Sequence, residues 1–106
     1  MADDRTDLLE QLWDEVGTMP FPRGWYQHEP GGHSLVILHT TLSGGAAAVL
    51  DGPLDERHRD HLRSHLAVLT RLLPAFAHDP YAARYFGAVH RMARLAEEID
   101  RERTGG

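Results

Sequence analysis

His33-Ser34-Leu35-Val36-Ile37-Leu38-His39-Thr40-Thr41-Leu42-Ser43-Gly44-Gly45-Ala46-Ala47-Ala48-Val49-Leu50 is the stretch whose reading decides the fold. By residue type it is two strands joined by a turn. Over 33–42 the chain is rich in β-branched and large apolar residues, which favour the pleated surface of a sheet. A period of two puts Leu35, Ile37, His39 and Thr41 on one face and Val36, Leu38, Thr40 and Leu42 on the other. A strand apolar on both sides is a central strand, covered on each face. Ser43-Gly44-Gly45 reads as a hairpin loop. Residues 46–50 then form a strand of small side chains, whose alanines leave room for a helix, a second subunit or a ligand.

Before this stretch, 25–29 reads as a first strand and Pro30-Gly31-Gly32 as the turn that follows it. The three strands make an antiparallel meander with 25–29 and 46–50 at its edges. Unpaired edges and two apolar faces on so small a sheet predict a homodimer.

Residues 1–5 are a polar tail, followed by a helix over 6–16 with Leu8, Leu9, Leu12, Trp13 and Val16 at helical spacing. Gly17 and Pro20 end it. A loop over 18–24 follows, extended by Pro20 and Pro22 and pinned by Met19 and Phe21.

The second half of the chain predicts two long helices. Asp51-Gly52-Pro53 is a turn and Asp55 an N-cap. From there Leu62, Leu66, Leu69, Leu72, Leu73 and Phe76 recur at intervals of one, three and four, over a helix spanning 55–76. Arg59, Asp60, Arg63, Ser64, Thr70 and Arg71 fall on the solvent side. Asp79-Pro80 starts the last helix, with Asp as N-cap and Pro in the first turn. Its stripe is Tyr81, Ala82, Tyr85, Val89, Met92, Ala93, Ala96 and Ile99, and 98–103 is a solvated charge run. The two helices pack antiparallel as a hairpin. The expected whole is one α+β domain over 1–106: an N-terminal helix, a three-stranded antiparallel meander, then two long antiparallel helices.

The candidate chemistry is histidine. His58, His61 and His65 lie within about 60° on a helical wheel, over the apolar stripe of the 55–76 helix. Asp55 lies one turn earlier. His61 and His65, at i and i+4, can reach one divalent ion, with His58 or Asp55 as a third ligand. A proton-sensitive interface is a second use, because adjacent imidazoles repel once charged. A third is a small dimeric enzyme of isomerase or cyclase type. Its pocket would lie between sheet and helix, with His39, His61 or His65 as general base and Tyr26, Tyr81 or Tyr85 as donor.

Composition removes several classes. There is no cysteine, which rules out disulfides and thiolate chemistry. All eleven basic residues are Arg, so Schiff-base lysines and the P-loop lysine are excluded. A net charge of −5 argues against a nucleic-acid surface. No apolar run approaches membrane-spanning length, and the acidic start lacks the apolar core of a signal peptide. Nucleophile-elbow and dinucleotide fingerprints are also absent. The favoured expectation is a small acidic cytoplasmic binding or accessory protein, of regulatory or immunity type, acting through protein–protein contact. It is expected to need no cofactor, apart from the divalent ion just considered.

Overall fold

Ser34 starts a helix. In the computed structural model, which describes residues 4–105, the Ser34 hydroxyl accepts from the Ile37 N–H at 3.3 Å. That is the N-cap geometry that satisfies one of the free donors of a first helical turn. The chain then runs as one helix, α2, over Leu35–Asp51. Leu35, Leu38, Leu42, Ala46 and Val49 are all buried on it, and their spacing of three and four is a single helical stripe.

The expected α+β fold is therefore corrected to an all-helical one, with no strand among the described residues. Strands two and three of the meander are the two halves of α2. The first strand, 25–29, is replaced by a 3-10 turn over Arg23–Trp25 and the loop after it. Apolar residues on both faces of a strand and all around a buried helix give the same composition. Ser43-Gly44-Gly45 is not a hairpin but the middle of α2. Gly45 has a packing reason, since a Cβ there would stand 3.1 Å from Leu62 Cδ1. The sheet edges from which a homodimer was argued do not exist.

The other helices are α1 over Asp4–Thr18, α3 over Glu56–Leu72 and α4 over Pro80–Gly105. Helix thus begins within the expected tail 1–5, of which 1–3 lie outside the described residues, as does 106. Asp55 caps α3 through the His58 N–H at 2.8 Å. Asp79 caps α4 through the Ala82 N–H at 3.1 Å. A 3-10 turn over Leu73–Phe76, with Pro74 inside it, ends α3.

The helices alternate in direction. Arg5 of α1 pairs with Glu102 of α4, so those two run antiparallel. Arg59 with Asp100 and Thr70 with His90 set α3 antiparallel to α4. Arg103 Nη1 donates to Val49 O at 2.7 Å and to Gly52 O at 3.0 Å, placing the ends of α2 and α4 side by side. It also satisfies carbonyls that the last turn of α2 leaves free. The bundle is flattened: α2 and α4 pack on each other at the centre, and α1 and α3 lie on either side of that pair.

Two residues of the expected charge run 98–103, Arg103 and Asp100, are structural. Asp100 is buried, accepting from Arg59 Nε at 2.6 Å and from the Leu54 N–H at 3.2 Å. Arg59 also donates to Leu54 O at 2.6 Å, so Arg59 is not on the solvent side as the wheel placed it. These bonds tie the α2–α3 connection to α4. At the other end of the bundle, Trp25 packs on Phe76, which stacks on Phe86 at 4.3 Å. Trp25 Nε1 donates to Asp79 Oδ2 at 2.9 Å, so one carboxylate caps a helix and holds the loop before α2.

Candidate functional site

Helix α3 turns its histidines toward the groove it forms with α2, but leaves them wet. His58 and His61 are exposed and His65 is half-buried. The His58 ring is bonded to Asp55 Oδ1 at 2.7 Å. That bond and the cap to the His58 N–H hold the Asp55 carboxyl below its usual range. His65 Nδ1 is 2.7 Å from His61 O, a helix carbonyl that the ring satisfies by donating to it. The His61 and His65 ring centres are 6.1 Å apart. His58 and His61 border one part of the groove with Thr40, Thr41, Gly44 and Gly45. His65 borders the next part with His33 and Ser34. Among the described residues, no three His, Asp or Glu side chains converge as a metal ion would need. Asp55, His58, His61 and His65 are thus strung along one helix edge rather than gathered around a point.

His39 lies on the opposite flank of α2. Its Nδ1 is 2.8 Å from the Tyr85 hydroxyl, and Phe21 meets its ring edge-on. Burial pushes the Tyr85 phenol up to about 12, so it stays protonated and needs an acceptor. It donates to His39 Nδ1, which fixes the imidazole proton on Nε2. Burial also lowers the His39 pKa. The structure does not bring His39 to His61 or His65, because α2 stands between them. With no sheet present, the expected pocket between sheet and helix has no wall. Of the expected tyrosine donors, Tyr81 gives its proton to Pro20 O at 2.5 Å, and Tyr26 packs on Phe21.

The feature that residue-type reading missed is the outward side of α2. This helix carries one titratable side chain, His39, before its terminal Asp51. Ile37 is 61% exposed and Val36 37% exposed. Thr40 and Gly44 continue the exposed ridge, with Ala47 and Ala48 half-buried beside it. Trp13 of α1, 40% exposed, flanks it and donates from Nε1 to Ser43 O at 3.2 Å. Helix α4 occupies the equivalent position on the other side of the bundle, and its outer ridge is Arg84, Arg91, Arg94 and Arg101. A surface helix ordinarily carries charge on its free face, as α4 does. The signal in the sequence was the charge-free run itself, once read at a period of 3.6. Among the described residues, no helix is long and apolar enough to cross a membrane. Compared with protein-family models, with curated proteins and with solved structures, the chain matches none of them.

Proposed function

We propose that this chain is a small acidic binding or accessory protein that works by protein–protein contact, and that the outward side of α2 is the contact surface. One observation carries the reading: of the two central helices, α4 faces outward with arginines and α2 with Ile37, Thr40, Gly44 and Ala48. Contiguous apolar surface bordered by polar residues is the usual mark of an interaction site. The borders are present, as Asp and Glu side chains on α1 and histidines on α3.

The histidines support this reading better than they support catalysis. They form a wet edge, without the enclosed wall and converging polar groups of a small-molecule site. A photo-crosslinking amino acid in place of Ile37, expressed in cells, tests the proposal, with the same residue at Arg91 as control. Covalent adducts to protein are expected from position 37 and not from position 91. A folded chain that gives adducts from neither position removes the reading.

A further inference from the structure

The geometry points to a two-histidine site for a divalent transition-metal ion on the edge of α3, with His61 and His65 each ligating through Nε2. This site is separate from the α2 contact surface, and neither depends on the other.

A helix carbonyl can only accept, so the 2.7 Å approach of His65 Nδ1 to His61 O places the ring proton on Nδ1. The lone pair of the neutral ring is then on Nε2. Metal-bound histidines are ordinarily fixed in this way, with one ring nitrogen donating to a carbonyl or carboxylate while the other takes the ion. Ser64 Oγ, 3.5 Å from the same Nδ1, leaves that assignment unchanged, since its own proton goes to His61 O at 3.3 Å.

His61 stands one helical turn before His65, and the two ring centres are 6.1 Å apart. Residues four apart are offset by only ~40° around a helix, so both side chains leave from the same side. A Zn–N bond of about 2.0–2.1 Å, with ~1.1 Å from nitrogen to ring centre, puts a shared ion ~3.2 Å from each centre. Two rings on one ion therefore lie at most ~6.4 Å apart, and ~5.2 Å apart at the tetrahedral angle. The observed spacing falls inside that limit. Closing the remaining ~1 Å to the tetrahedral spacing needs only a rotation of His61. Its ring has no hydrogen-bond partner among the described residues.

His58 is the rival ligand. Its Nδ1 is bonded to Asp55 Oδ1 at 2.7 Å, which also leaves Nε2 free. It is offset from His61 by ~60°, however, and among the described residues His61 and His65 are the two imidazoles that meet. The surrounding charge favours a cation. The hollow beside His61 is bordered by Asp55, Glu56 and Asp60 against Arg57 alone. The hollow beside His65 has no charged border, being lined by His33, Ser34, Leu38, Ser64 and Val68. Imidazole ligands select zinc, copper or nickel over calcium and magnesium, which take oxygen. An ion at this wet edge keeps water in the positions that the protein does not fill, as catalytic zinc does in one. Two protein ligands in place of three make the ion exchangeable rather than structural.

Titration of the purified, untagged chain with zinc(II) alone tests the site, read by calorimetry and by nitrogen NMR of the imidazole rings. One zinc per chain is expected, with the Nε2 resonances of His61 and His65 shifting and His65 Nδ1 staying protonated. An outer-shell partner alone is worth about 10–100-fold in metal affinity, so His61→Ala and His65→Ala are each expected to cost at least about tenfold. His58→Ala, and His78→Ala at the other end of the bundle, are expected to leave the affinity nearly unchanged. Circular dichroism confirms that each variant is folded. An equal loss in His58→Ala overturns the two-histidine assignment. Coordination through His65 Nδ1, an affinity indifferent to His61→Ala or to His65→Ala, or no binding up to millimolar zinc overturns the site.

Discussion

His39 and Asp100 are two polar groups taken out of water, and they are stabilised in different ways. His39 is held neutral, and its lowered pKa couples folding to pH. The unfolded chain takes up the proton more readily than the folded one, so the unfolded state gains as pH falls through the ordinary imidazole range. The contribution of His39 is fully present above that range and is lost below it. Burial, together with nearby Arg94, lowers His90 as well, so the two act in the same direction. Urea unfolding at a series of pH values between 8 and 5 is expected to show stability falling with pH. His39→Gln, which keeps an acceptor for Tyr85, is expected to flatten part of that slope. An unchanged slope would mean that His39 is not held neutral by burial. Asp100 is stabilised by pairing with Arg59 and by accepting from the Leu54 N–H. Asp100→Ala takes the carboxylate away from the Arg59 Nε–H and the Leu54 N–H and is expected to cost on the order of 3 kcal/mol. Chemical denaturation measures this directly. A loss under ~1 kcal/mol, the range of exposed ion pairs, would show that the site opens to water.

At the level of elements, the misread stretch and the correctly read ones differ in how their information is written. Helices α3 and α4 were legible because Asp55 and Asp79 announce their starts and charged residues fill their outer faces. Helix α2 has its cap, Ser34, and its stripe, Leu35, Leu38, Leu42, Ala46 and Val49, but no charged residue before Asp51 against which that stripe stands out. Its two glycines then imitate a turn. What decides in favour of helix is tertiary: Leu62 sits against the bare Cα of Gly45, and α4 covers the buried side. The histidine edge of α3 was legible for the same reason as the helix itself, whereas the pairing of His39 with Tyr85 depends on packing that no local pattern encodes. Glycines provide a test at this scale. Gly87 lies inside α4 with nothing near the place of a Cβ, so Gly87→Ala is expected to stabilise by about 0.5–1 kcal/mol. Gly45→Ala is expected to lose that gain because Leu62 must shift. Equal thermal shifts for the two variants would show that the α2–α3 contact is looser than described.

In the whole molecule, α4 is the spine. It touches each of the other three helices and supplies Asp100 and Arg103 to the α2–α3 connection and to the last turn of α2. The opposite end of the bundle is closed by the aromatic loop before α2, with Trp25 fixed to Asp79. The two broad sides differ in kind, arginine-rich over α4 and uncharged over α2 as far as the exposed Asp51, and the proposed contact surface lies on the second. The Arg5–Glu102 pair carries a further implication. An even number of alternating helices brings the first and last turns to the same end, so a short polar tether can splice them together. The connection between α2 and α3 can then be cut to make new ends. Such a rewired chain would keep every helix in place while reversing which pair of helices emerges first during synthesis.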